Sequence, residues 1–264
     1  MLKRWLFAQR AEKIYWGSRE VALAETRVIF ERYLHVFSEI ASCKDWRILD
    51  VGCGPTFVSR LVEGGEKFCV DPLMRFFVGK FGDDFVSSSF SFLSAVGEFL
   101  PFRDGCFDLV VCRNVLDHVA SPRMVLREVQ RVSRRKGFLV LGVYVYPEFV
   151  CKLKRVVERL GIVGLRESFH PHFFTWEDVE SMLSKYFVVV DRRIVFCDRV
   201  RWQRITPKLM DLICARGGSS SVLGMFRYFL SCFLFHFFWN VVRLLNHFKS
   251  RYYVAECVFL GVVK

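Results

Sequence analysis

The chain has 264 residues, is 53% hydrophobic and 25% charged, contains 29 Phe, and carries a formal net charge of +12. It is long and apolar enough for a sizeable core, which excludes a disordered, collagen-like or disulfide-scaffolded chain. The basic excess gathers at 131–136 and at 198–253, and such patches favour anionic surfaces, either lipid headgroups or nucleic acid.

The N-terminus is basic and aromatic but has no long apolar run, so it does not read as a secretory signal. Residues 1–45 predict a helical lid. Leu23, Ile29, Phe30, Tyr33, Leu34, Val36, Phe37 and Ile40 form a broad apolar stripe, and Tyr15-Trp16-Gly17 interrupts the helical run. The 10 cysteines are scattered, with no Cys-x-x-Cys, so a zinc ribbon or redox dithiol has no support and a reducing cytoplasm is expected.

Residues 47–73 read as strand, glycine turn, helix, strand. Ile48, Leu49 and Val51 lead into Gly52-Cys53-Gly54-Pro55. Phe57, Val58, Leu61 and Val62 recur at helical spacing before Gly64-Gly65, and Phe68-Cys69-Val70 precedes Asp71. This is a mononucleotide-binding half-unit. Gly52 and Gly54 let the backbone turn sharply beside a ligand. Asp71 follows the turn by roughly 20 residues, the distance at which a carboxylate reaches ribose hydroxyls. A dinucleotide fingerprint would need a third glycine, which is absent.

Asp50-Val51-Gly52-Cys53-Gly54 resembles the first motif of class I S-adenosylmethionine (SAM) methyltransferases, in the type 11-like branch. Glu98-Phe99-Leu100-Pro101-Phe102, followed by Phe107-Asp108-Leu109-Val110, resembles the second and fourth motif regions of the same family, in the right order. The resemblance implies a Rossmann-like, doubly wound, mostly parallel seven-stranded α/β sheet with an antiparallel last strand. It implies SAM as cofactor, held by Asp50, Gly52, Cys53, Gly54, Asp71, Pro72, Gly97, Glu98, Phe99 and Asn114. One departure stands out. Val96 occupies the place where the family usually has an Asp for the adenine amino group.

Arg113-Asn114-Val115-Leu116-Asp117-His118-Val119 resembles the family segment that faces methyl transfer. Asp117 and His118 are the candidate catalytic pair, with His118 a general base for a hydroxyl acceptor. Ser121-Pro122 predicts a helix start, and Gly137 a helix C-cap ahead of a fifth strand over 138–146. A helix over 149–160 follows. His170 and His172, with Tyr15 and Trp16, are the candidate substrate rim. The two histidines lack an obvious third ligand in the sequence, so no metal is expected. Thr175 and Asp178 predict a capping box.

The SAM-binding core is expected over 46–197 and its final strand over 251–264, with a helical, hydrophobic and basic insertion over 198–250. Residues 228–242 lack Lys, Arg, Asp and Glu. That run makes only about 22 Å of helix, too short to span a bilayer. A core helix, an oligomer interface and a monotopic membrane helix are the three explanations, and basic flanks favour the last. The function expected is SAM-dependent methylation of a small or lipid-linked acceptor (a glycan headgroup, lipid or quinone) by a cytoplasmic protein peripheral on the inner face of the membrane. RNA methylation and a catalytically silent, partner-binding subunit are the alternatives; oligomeric state is left open.

Overall fold

The computed structural model describes residues 2–38, 40, 44–82, 90–159, 170–198 and 254–264. In chain order its elements are α1 (Leu2–Tyr15), α2 (Arg19–Ser38), β1 (Arg47–Val51), β2 (Glu66–Val70), α3 (Met74–Phe81), β3 (Phe90–Leu93) and β4 (Phe107–Arg113). Then come α4 (Pro122–Val132), β5 (Ser133–Val145), α5 (Glu148–Arg159), α6 (Trp176–Leu183), β6 (Phe187–Asp198) and β7 (Val254–Val263).

The strands form one 7-stranded sheet in the order β3-β2-β1-β4-β5-β7-β6. Pairs from β3 through β5 are parallel, and β7 is antiparallel to both β5 and β6. This is the mixed doubly wound sheet that the resemblance implied. The chain leaves β1 toward β2 on one side and later returns to β4 on the other. A crevice therefore opens at the carboxyl ends of β1 and β4.

Successive strand residues face opposite sides, so each strand feeds two cores. Ile48, Leu109, Val111, Val140 and Val258 pack with Ile29, Tyr33, Val36 and Phe37 of α2. Their neighbours Leu49, Val110, Leu139 and Leu141 pack with Val125, Leu126 and Val129 of α4 and Val179 and Leu183 of α6. Ser121 caps α4 through its Oγ, with Pro122 in the first turn, and Thr175 with Asp178 forms the complete capping box of α6. These local signals set where the helices begin and so where the loops around the crevice lie.

Two expectations need correction. The helix predicted after the glycine turn is only a 3-10 turn over Val58–Leu61. Both Gly64 and Gly65 take positive φ and close the segment early. Phe57 is held at φ 22 with its ring against Phe90 and Phe92, so the loop consumes residues a helix would need. Gly137 does not cap α4. That helix ends at Val132 with Ser133 as cap, and Gly137 lies inside β5, next to Lys136 at φ 63. A Cβ there would come within 2.8 Å of Arg134 O and 3.2 Å of Asp108 O, so glycine serves close strand approach at a register shift. The insertion expected over 198–250 lies outside the described residues, apart from Asp198 at the end of β6. No helix among the described residues is long and apolar enough to cross a membrane.

Candidate functional site

The crevice holds a cavity of about 840 Å³, its open mouth included. Its floor is the turn after β1. Gly52 (φ 62) and Gly54 (φ 54) both adopt left-handed backbone. Gly52 N donates to Val70 O at 2.7 Å, tying the turn to the end of β2. A Cβ on Gly52 would lie 2.3 Å from Val115 Cγ2, whereas one on Gly54 would meet nothing within 4 Å. The first glycine therefore serves packing and the second leaves open space in the cavity.

Two buried carboxylates frame this floor. Asp71 Oδ2 accepts from Gly54 N at 3.0 Å and Oδ1 from Leu73 N at 2.7 Å. Asp50 Oδ2 accepts from Ser59 N at 3.0 Å, which turns it toward the 3-10 turn. Burial pushes each carboxyl up to about 6, and the backbone N–H bonds offset only part of that. Cys53, Thr56, Pro72 and Leu73 complete this side.

Val96, Gly97 and Glu98 form the next wall. Glu98 is buried, and its Oε1 accepts from Ala120 N at 2.8 Å and Ser121 N at 3.1 Å. It thereby fixes the loop that enters α4. Phe99 is 67% exposed and lies outside the cavity lining. Gly97 sits where a Cβ would come within 3.2 Å of Val51 and 3.3 Å of Val125.

The end of β4 supplies Arg113, and the loop after it Asn114, Val115, His118 and Val119. Asn114 has φ 54, and its N donates to Gly142 O at 2.8 Å. Its Oδ1 is buried without a hydrogen-bond donor in the protein, as is Gln9 Oε1. Both residues line the cavity, so each can accept from a donor on a ligand there. Behind them Arg113 Nε lies 2.9 Å from Glu256 Oε1, a close ion contact off the hydrogen-bond axis.

Helix α1 roofs the cavity with Trp5, Gln9 and Glu12, and Trp16 follows from the break. Trp16 Nε1 donates to Glu12 Oε2 at 2.6 Å, and Glu12 Oε1 lies 3.3 Å from His118 Nδ1. Tyr15 meets Trp16 edge-on at 4.9 Å but does not line the cavity. His170 and His172 do not line it either. They stand behind the β4 loop. His170 Nδ1 donates to Asp117 Oδ2 at 2.6 Å, and the His170 and His118 rings are 4.5 Å apart. His172 Nε2 donates to Val119 O at 2.9 Å, and His172 N reaches Asp117 O at 3.3 Å. Burial would raise the Asp117 carboxyl, but the adjoining His118 and His170 outweigh it and hold the group at about 2.

Sequence reasoning missed Trp5, Gln9, Glu12 and Arg113 as site residues. Arg113 directly precedes the segment that was singled out, so its place at the end of a strand was a usable signal. Nothing in the periodicity of α1 showed that its Glu12 face would close over the crevice.

A family model described as a methyltransferase domain matches residues 49–141. An uncharacterised methyltransferase of Bacillus subtilis, YcgJ, is 25% identical over 197 residues, covering 70% of this chain and 71% of that protein. Its crystal structure superposes with a TM-score of 0.58 at 18% identity, over 89% of this chain and 98% of that one. The rat thiol S-methyltransferase TMT1B is 34% identical over 164 residues, which are 55% of this chain and 64% of that protein. The geranyl diphosphate C-methyltransferase of Streptomyces coelicolor, solved with S-adenosyl-L-homocysteine, shares the fold at a TM-score of 0.54 and 10% identity, over 95% and 87% of the two chains. Sequence motifs, sheet order and these relatives agree on a SAM-dependent methyltransferase: the chain carries a methyltransferase domain over residues 49–141, set in the class I methyltransferase fold.

Proposed function

We propose that this protein transfers the methyl group of SAM to a small or lipid-linked acceptor that enters beneath α1. The observation that carries the reading is the roof formed by Trp5, Gln9, Glu12 and Trp16 next to His118. A cavity closed over by a helix suits a small acceptor better than a folded polynucleotide. The thiol acceptor named for the rat relative fits the same chemistry.

The residues present suit the cofactor. Asp71 offers the carboxylate for ribose hydroxyls, Gly54 leaves room beside it, and Asn114 Oδ1 and Gln9 Oε1 are acceptors for an ammonium. Apolar contact from Val96 and Pro72 and the backbone of Gly97 and Glu98 would hold adenine. Bound SAM supplies a sulfonium methyl. The protein's part is alignment of acceptor and donor at near-contact distance. We assign acceptor activation to Asp117 and His118, because His118 faces the cavity and Asp117 is buried behind it.

Calorimetry with SAM, followed by transfer of radiolabelled methyl into small-molecule and lipid extracts, tests the reading. We expect saturable binding and label in an organic-soluble product. Absence of SAM binding at millimolar concentration overturns it, and label confined to RNA overturns the choice of acceptor. We further propose that the basic, apolar segment 198–250 brings the enzyme to an anionic lipid surface, as its sequence supports. Co-sedimentation with anionic vesicles that persists in Phe233→Asp/Phe237→Asp would refute that role for the segment.

A further inference from the structure

Asp117, His118 and His170 present ligand atoms that all lie within 4.8 Å of one another. Sequence spacing hid this trio, since His170 comes from a distant segment. The backbone bond from His172 N to Asp117 O and the His172 bond to Val119 O bring that segment against the β4 loop.

The cluster is under-satisfied as it stands. Asp117 is fully buried, yet its Oδ1 makes no hydrogen bond. His118 is 8% exposed, and neither ring nitrogen makes one. Leaving such groups without a partner costs about 1–3 kcal/mol each. His118 Nε2 points toward Asp117, 3.8 Å from its Oδ2. His118 Nδ1 points the other way, 3.3 Å from Glu12 Oε1. One ring nitrogen thus faces the cluster and the other faces a carboxylate, which is the arrangement that fixes a metal-binding imidazole.

We propose that Asp117, His118 and His170 bind a divalent transition-metal cation, with Glu12 orienting His118 from the cavity side. Two imidazoles and a carboxylate suit zinc or a similar ion, and leave a further position for an exogenous ligand. Ligands of one tetrahedral ion lie roughly 3.3 Å apart. The 3.8 Å gap between His118 and Asp117 must therefore close slightly, and the 2.6 Å bond between His170 and Asp117 must open. His118 stands between the cluster and the cavity, with Nδ1 toward the lining residue Glu12 and Nε2 toward Asp117, so an acceptor reaches the remaining position past the His118 ring.

The consequence for substrate rests on the methyltransferase reading; the metal site does not. An acceptor thiol or hydroxyl bound at that position loses its proton to solvent more readily than when free. The new bond from sulfur or oxygen to methyl forms as the methyl–sulfonium bond breaks, and that bond's electron pair stays on the donor sulfur. His118 then activates the acceptor as a ligand, not as a free base.

The test is a cobalt(II) titration of chelator-treated full-length protein, read by visible absorption, with zinc competition and parallel SAM calorimetry. One equivalent should bind with d–d bands typical of nitrogen and oxygen ligands and no thiolate charge-transfer band. His170→Gln and Asp117→Asn should each weaken binding by more than about 100-fold, and Glu12→Gln by about 10-fold. SAM affinity should persist in His170→Gln, which confirms that the variant is folded. Absent cobalt binding, a dominant thiolate band, or affinity unchanged in His170→Gln overturns the metal site. Failure of SAM to bind the wild type would instead remove the acceptor role while leaving the cobalt result intact.

Discussion

The Asp71 carboxylate reaches back across the crevice to Gly54, whose N–H it accepts at 3.0 Å, while its other oxygen accepts from Leu73 N at 2.7 Å. One side chain thereby sets the glycine turn after β1 and the start of α3. Asp71→Asn keeps the shape but sets an NH2 against one of those backbone donors and removes the charge. Hydrogen bonds to charged groups are worth about 1.5–3 kcal/mol, so SAM affinity should fall roughly 10- to 100-fold. Asp71→Ala should abolish detectable binding while the sheet remains folded. Calorimetry with circular dichroism on both variants checks this, and unchanged affinity would show that ribose is held elsewhere.

The same carboxyl predicts how cofactor binding varies with pH. Burial raises Asp71 to about 6, above the ordinary carboxylate value. In the proposed binding mode ribose hydroxyls donate to the ionised form. Affinity should therefore climb up to about tenfold per pH unit below that point and level off above it. Stability of the cofactor-free protein should move the opposite way. Asp50 and Asp71 hold a proton more tightly folded than unfolded, so their contribution is lost as pH rises from about 4, the unfolded value, through about 6. SAM titrations and denaturant midpoints measured across that window should show the two opposing trends.

The two glycines of the turn should separate stability from binding. Gly52→Ala places a methyl 2.3 Å from Val115 at positive φ, so backbone strain and overpacking add. The expected loss is about 2–5 kcal/mol, seen in chemical denaturation. Gly54→Ala meets no protein atom and carries only the left-handed backbone cost of about 1–2 kcal/mol. Its methyl does enter the space assigned to the cofactor, so Gly54→Ala should remain folded and lose SAM affinity. Equal effects of the two substitutions on melting would contradict the packing described.

How far the sequence could be read follows from what each residue's role depends on. The seven-stranded sheet and its antiparallel last strand were legible because short β-rich runs and family motifs are local properties. Val58–Leu61 was misjudged because Phe57 and the paired glycines 64 and 65 shorten the segment through contacts with β3 and through positive φ. Gly137 looked like a helix cap, yet its reason lies in carbonyl oxygens of its own strand and of neighbouring β4. Asp50, Gly52, Gly54, Asp71 and Asn114 were found at the cavity, as they sit at strand ends. Phe99 was expected beside the cofactor, and Tyr15, His170 and His172 beside substrate; all four lie outside the lining. Glu12 was invisible, because its role arises only when α1 folds over a distant loop.

Glu256 shows the same dependence on distant partners and yields a last prediction. It is fully buried on β7, and three groups from two other elements converge on it. Arg113 at the end of β4 lies 2.9 Å from Oε1, Arg32 of α2 lies 3.3 Å from Oε2, and Tyr33 Oη donates to Oε1 at 2.9 Å. Burial opposes the charge on Arg113, but Glu256 and Tyr33 more than offset it and raise its pKa. Glu256→Gln leaves Arg113 and Arg32 without their counter-ion in a dry interior. Breaking a buried pair in this way costs about 3–5 kcal/mol. Tyr33→Phe removes one hydrogen bond to a charged acceptor and should cost about 1.5–3 kcal/mol. Because Arg113 precedes Asn114, Glu256→Gln should also weaken SAM binding, whereas Tyr33→Phe should affect stability mainly. Denaturation curves and calorimetry on the two variants separate these effects. Equal stability losses would mean that the carboxylate's charge is not what holds α2 to the strands beside the cavity.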